Sequence, residues 1–221
     1  MKIKDRILNL LYPPKCMFCH RLLDDNEQEE GKLLCCECKG SIKILSPNES
    51  RQSFPNIKEC ISSFYYEGYI KDALHRYKFK GRQFYSKYLA EYMSAAFELW
   101  GIEIDLISWA PLSRKRLHKR GYDQAELLAE ELSRREGIEK ARLLRKTKNV
   151  KPQSITGAYD QRRENISGAY EAFDENKIKN RKILLIDDIV TTGSTLSECA
   201  GILMAAGAAQ VYALTAARHR D

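Results

Sequence analysis

From residue 60 onward, short apolar runs alternate with stretches of helical periodicity. CISSFYYEG (60–68) reads as a strand, and residues 69–79 and 85–100 read as helices. The second of these helices carries Tyr88, Leu89, Tyr92, Met93 and Ala96 on one face. DLISWAP (105–111) is a short strand, and YDQAELLAEELSRR (122–135) is a helix whose basic C-terminal end suits the macrodipole. RKILLIDD (181–188) has the pattern of a buried strand, followed by the helix STLSECAGILMAAGA and the last strand AQVYALTAA. This alternation predicts an α/β domain built on a doubly wound, mostly parallel sheet. Cys60 and Cys199 fall inside a predicted strand and a predicted helix and are expected as core thiols.

The pattern is different before residue 60. Residues 12–59 hold five of the seven cysteines together with Pro13, Pro14, Pro47 and Pro55, and show little apolar periodicity. Two parts are therefore expected. Residues 1–59 form an amphipathic helix, a metal-stapled module and the linker SPNESRQSFPN, and residues 60–221 form the α/β domain. The N-terminal MKIKDRILNLLYPP interleaves Ile3, Ile7, Leu8, Leu10 and Leu11 with charge, which is amphipathic rather than secretory. No apolar run approaches the roughly 20 residues that span a bilayer, so a cytoplasmic protein is expected. Its 37 basic against 30 acidic residues give a net charge of +7, which favours anionic partners. An odd cysteine count without an export signal points away from a disulfide framework and toward metal ligation or burial.

The cysteines have metal-site spacing. Cys16-x2-Cys19-x15-Cys35-x2-Cys38 presents two pairs of thiolates, each from one tight turn, as a tetrahedral zinc ion requires. Four protein ligands close the site, so the zinc expected here is structural. A module of about 40 residues usually needs such a staple. Cys36 could replace Cys35, and His20 is a weaker alternative ligand.

In ILLIDDIVTTGSTL (183–196) a strand delivers Asp187 and Asp188 to its C-terminal end, the edge where open α/β sheets bind ligands. Thr191, Thr192, Gly193, Ser194 and Thr195 then turn into a helix. Glycine lets backbone approach a ligand, and free N–H groups with hydroxyls at a helix start suit a phosphate. The two carboxylates suit the hydroxyl donors of a sugar diol. The stretch is not a P-loop, having no lysine in the turn. It resembles the 5-phosphoribosyl-1-pyrophosphate (PRPP) motif of type I phosphoribosyltransferases. That resemblance implies that Asp187 and Asp188 bind the ribose hydroxyls, that Thr191 to Thr195 bind the 5′-phosphate, and that Mg²⁺ accompanies the pyrophosphate. Enzymes acting on 6-oxopurines place a further aspartate where this chain has Thr191, which argues against hypoxanthine or guanine salvage.

WAPLSRKRLHKRGYDQAELL (109–128) leaves a strand through Pro111 and carries Arg114, Lys115, Arg116, His118, Lys119 and Arg120. It is read as a charged loop at the same sheet edge, suited to pyrophosphate or to an oligonucleotide backbone. Tyr65, Tyr66, Tyr69 and Tyr77 are expected as core rather than as base-stacking groups.

Taken together, the four-cysteine module, Trp109-Ala-Pro111-Leu112, Arg114, Arg116, Arg120-Gly121-Tyr122-Asp123-Gln124 and the acid-pair turn resemble the ComF family of late-competence proteins. Relatives often carry asparagine where this chain has Asp123. The stretch 146–170, with Gln153, Arg162 and Asn165, resembles that family's Q…R-x-x-N segment, which lies where phosphoribosyltransferases keep a mobile catalytic loop. The resemblance implies a protein of natural transformation that handles incoming single-stranded DNA beside a helicase-like partner. Its alternative is an active phosphoribosyltransferase with an unidentified acceptor, and the residues themselves leave the two open.

Overall fold

The computed structural model describes residues 13–24, 26–27, 33–147 and 169–220. The expected N-terminal amphipathic helix, and Gln153, Arg162 and Asn165, lie outside them. In chain order the elements are α1 (Cys36–Ser41), α2 (Pro47–Ser50), β1 (Arg51–Gln52), β2 (Cys60–Tyr65), α3 (Gly68–Phe79), α4 (Tyr85–Trp100) and β3 (Leu106–Trp109). They continue with α5 (Arg114–Arg120), α6 (Gln124–Glu136), β4 (Leu144–Lys146), β5 (Tyr170–Ala172), α7 (Glu175–Ile178), β6 (Lys182–Val190), α8 (Ser194–Ala205) and β7 (Gln210–Arg218).

The main sheet has the order β1-β2-β7-β6-β3. β2, β7, β6 and β3 are parallel, and only the edge strand β1 runs antiparallel. Helices cover both faces, because alternate residues of the inner strands are apolar on each side. Leu184, Ile186 and Leu214 pack on one face in a cluster that includes Leu74, Leu89, Met93, Leu128 and Leu132 of α3, α4 and α6. Ile183, Leu185 and Ala213 pack on the other face with Cys199 and Leu203 of α8, Leu144 and Ile178. The doubly wound, mostly parallel sheet read from the apolar rhythm is thus present. The small antiparallel pair β4–β5 was not anticipated.

The cysteine module joins the first cluster. Phe18 is fully buried against Phe64 and Tyr92, with ring centroids 6.2 and 5.9 Å away. Arg76 of α3 donates to the carbonyls of Met17 and Phe18 at 2.8 and 2.6 Å, holding the first knuckle on the domain. Within the segment read as a linker, Ser46 and Glu49 form a capping box that starts α2, and β1 then pairs with β2.

The basic stretch is corrected from loop to helix. Ser113 caps α5 by accepting from the Arg116 N–H at 3.3 Å, and Gly121, at φ 81°, ends it. No glycine or proline interrupts RKRLHKR, so nothing prevents the turn from closing.

Candidate functional site

β3 is shorter than its neighbour, and this opens the site. Its last residue, Trp109, pairs with Ile186, and the Ala110 N–H still reaches the Ile186 carbonyl at 3.0 Å. Pro111 then has no N–H to offer and the chain turns away. β6 continues to Val190, paired with β7 alone, so Asp187 and Asp188 lie beyond the end of β3. The acids are therefore not at the strand's last positions, as its sequence suggested. They line a step where one neighbour has stopped.

Strand alternation separates their surroundings. Asp188 is buried and forms an ion pair with Lys78, the penultimate residue of α3, at 3.0 Å. Asp187 is partly buried, accepts the Asp188 N–H at 2.8 Å, and lies close enough to Cys199 of α8 to perturb its thiol. Burial raises the Asp187 carboxyl well above the usual range, and the charge of Asp188 adds to that rise while Lys78 opposes it. Two acids in one step are thus held together by one lysine and would gain from hydroxyl donors.

The turn that follows has the features of an anion site. Gly193 adopts φ 69°, and an added Cβ would lie 2.2 Å from the Phe54 ring, so this position requires glycine on two grounds. The N-cap Gly193 offers no side chain to α8, whose first-turn N–H groups have no intrahelical acceptor, and Ser194 N–H makes only a long 3.5 Å contact with Thr192 Oγ1. Thr192 and Ser194 hydroxyls meet at 2.8 Å across the turn. Thr191 is exposed, Gly193 is buried, and Thr192, Ser194 and Thr195 are partly buried.

The basic helix borders this step. Arg114, Lys115 and Arg116 are exposed. Arg120 is partly buried, donates to Gln124 at 2.7 Å and lies over the Phe79 ring at 4.8 Å, next in sequence to Lys78. Asp123 joins the two ends of this segment. It accepts from the N–H groups of Ala125 and Glu126 as the cap of α6, and from Leu112 N–H at 2.8 Å. All three donors are backbone amides, so the carboxylate meets no need for the donor that asparagine would add. Burial pushes Asp123 up to about 6 against those amides.

Sequence reasoning missed Lys78, Lys146, Tyr170 and Glu198. Lys78 lies among the charges of HRYKFKGR and reads as solvated, although its ammonium is turned inward. The others come from the unanticipated β4–β5 pair and from the α8 face it covers.

The thiols of Cys16, Cys19, Cys35 and Cys38 all lie within 4.8 Å of one another, the one such metal-capable group among the described residues. Cys19 and Cys35 sulfurs are 3.6 Å apart, close to the roughly 3.8 Å that tetrahedral zinc–sulfur geometry dictates. Cys36 is exposed, with Arg21 3.6 Å from its sulfur, and is not in the group. His20 is likewise exposed and not in the group. Burial raises the Cys38 thiol, while Cys35 is brought down to about 7 by the Cys38 amide and neighbouring thiols against the effect of burial. Four thiols enclosed this way cannot all ionise without a cation among them, so the donor set fits a metal.

No helix among the described residues is long and apolar enough to cross a membrane. The model of the phosphoribosyl transferase domain matches residues 117–221, which contain the acid pair and its turn. Competence protein F of Haemophilus influenzae is 36% identical over 110 residues, which are 49% of this chain and 48% of that protein. Competence protein ComFC of Bacillus subtilis is 30% identical over 166 residues, 71% of this chain and 63% of that protein. DNA utilization protein YhgH of Escherichia coli O157:H7 is 28% identical over 204 residues, 89% of this chain and 86% of that protein. The chain belongs to the ComF family, with a type I phosphoribosyltransferase-like domain preceded by a four-cysteine cluster.

Proposed function

We propose that this protein serves natural competence by binding PRPP or a related ribose phosphate at the β6–α8 turn while handling single-stranded DNA. The carrying observation is the step itself: two carboxylates beyond the end of β3, followed two residues later by a hydroxyl-lined glycine turn that opens α8. Asp187 and Asp188 would take the ribose hydroxyls and Thr191, Thr192, Gly193, Ser194 and Thr195 the 5′-phosphate. Arg114, Lys115, Arg116 and Arg120 would meet pyrophosphate or DNA backbone, and Mg²⁺ would share the pyrophosphate charge. The names of the relatives, two of them competence proteins and one a DNA utilization protein, support the setting. A helicase-like partner and a cytoplasmic location belong to the same reading, as does the division into residues 1–59 and 60–221. Zinc at Cys16, Cys19, Cys35 and Cys38 would be structural, closing the first of those parts.

A surface feature supports the single-strand role. Tyr77 is fully buried, which removes it as a stacking group, whereas Phe79 and Phe84 are 56% and 46% exposed. Each has an arginine over its ring, Arg120 at 4.8 Å and Arg82 at 5.8 Å. Exposed rings among cations are what unstacked bases and their backbone require.

Calorimetry with PRPP and Mg²⁺ tests the first half. Binding by the native protein that is lost in Asp187→Ala plus Asp188→Ala is expected, and binding that survives both changes refutes the assignment. Single-strand affinity should fall steeply with salt, and Arg114→Ala plus Arg116→Ala should weaken it and flatten the slope. Pyrophosphate release from PRPP that depends on one particular base or nucleotide would instead establish a transferase.

A further inference from the structure

We propose that Lys146 is an additional binding residue of this site, placing its ammonium on the ligand's 5′-phosphate, with Tyr170 as its positioning residue. The inference rests on the ribose-phosphate reading above and adds a cation that no motif in the sequence marks.

β4 and β5 are antiparallel with Lys146 directly opposite Tyr170, so their side chains share a face. Lys146 Nζ donates to the Tyr170 phenol oxygen at 2.6 Å and lies 4.3 Å from the ring centroid. β5 packs against α8, and Thr195 in the first turn of that helix is among the groups that act on the same phenol. The lysine–phenol pair therefore sits beside the helix that begins at the turn that would seat the phosphate.

Charge balance supplies the second step. The groups facing Lys146 are Arg116 from α5, Glu198 and Cys199 from α8, and Asp187 from β6. Glu198 accepts the Ala169 N–H at 2.8 Å with one oxygen, and its other oxygen is enclosed without a partner. Among the described residues no carboxylate comes within ion-pair distance of Lys146, whose one hydrogen bond there is to a neutral phenol. Arg116 disfavours this half-buried ammonium, and Glu198 and Asp187 favour it only from beyond ion-pair distance, so among the described residues it has no contacting anion. A phosphate monoester on the adjoining turn would supply that contact.

The test compares PRPP with Mg²⁺ against ribose 5-phosphate, since both carry the 5′-phosphate and only the first carries pyrophosphate. Lys146→Met should weaken both by about tenfold or more, and Lys146→Arg should restore most of that loss. Tyr170→Phe, which keeps the ring, should weaken both by a few-fold and provides the check if Lys146→Met folds poorly. Burial and the nearby Arg116 hold the Lys146 ammonium below the usual lysine range, so native binding should weaken at alkaline pH and Lys146→Arg should not. Loss for PRPP with ribose 5-phosphate unaffected would overturn the assignment, because the contact would then be to pyrophosphate. Unchanged binding of both ligands in folded Lys146→Met would overturn it while leaving the acid-pair reading intact. Absence of any binding by the native protein would overturn both.

Discussion

Lys78→Met is the most informative substitution in the acid step. The Lys78–Asp188 contact is 3.0 Å long, and the two side chains are only 18% and 10% exposed. At an effective dielectric of 20 the bare attraction is about 5.5 kcal/mol, and desolvation of both ions cancels much of it. Removing the lysine alone leaves a buried carboxylate without its cation, next to a second carboxylate whose proton affinity Lys78 was lowering. The expected cost is roughly 3 kcal/mol, against the few tenths typical of an exposed pair. Lys78→Met combined with Asp188→Asn removes both charges and should recover at least about half of that loss, because no orphan ion remains. Urea denaturation of the native protein, both single variants and the double variant near neutral pH yields the coupling directly. In Lys78→Met, Asp187 keeps its proton to still higher pH, so binding that needs its carboxylate should tighten as pH rises further than in the native protein. A cost below about 0.5 kcal/mol for Lys78→Met, or strictly additive losses, would refute the ion pair's role in holding the acids together.

Zinc analysis should find bound metal abolished in Cys35→Ser and retained in Cys36→Ser, since only the former sulfur lies in the cluster; loss from both would place the ligand set wrongly. Gly193→Ala combines a left-handed backbone penalty of about 1 kcal/mol with displacement of the Phe54 ring, and should lose ribose-phosphate binding before it loses the fold, as paired calorimetry and thermal melts would show. Asp123 has a folded pKa of about 6 against an ordinary 3.8, so the folded state binds this proton more tightly than the unfolded one. Its contribution to stability is greatest below the unfolded value and is lost as pH rises from about 4 to 6, by at most roughly 3 kcal/mol. A stability profile over that window should flatten in Asp123→Asn, and an unchanged slope would remove Asp123 as its source.

Much of this protein was legible in one dimension. RKILLIDD and AQVYALTAA are apolar on both faces, and such runs must be covered by helices on both sides, so the doubly wound parallel sheet follows from them. The four cysteines were legible for the same local reason: each pair must come from one tight turn, and x2 spacing achieves that. The acid-pair turn was visible because αL backbone and a bare helix start constrain Gly193 and its neighbours. Other features depended on contacts between residues far apart in sequence. That β3 stops opposite Ile186, exposing a step for the carboxylates, depends on register between strands some 75 residues apart. Lys78 turns inward because α3 ends over Asp188, and Lys146 meets Tyr170 because β4 pairs with β5. Cys35 rather than Cys36 enters the cluster because α1 presents one sulfur inward and the next to solvent. Local pattern determines which segments are buried and which turns are special. Only packing decides which charge faces which, because a charged side chain on an amphipathic element carries no local mark of its distant partner.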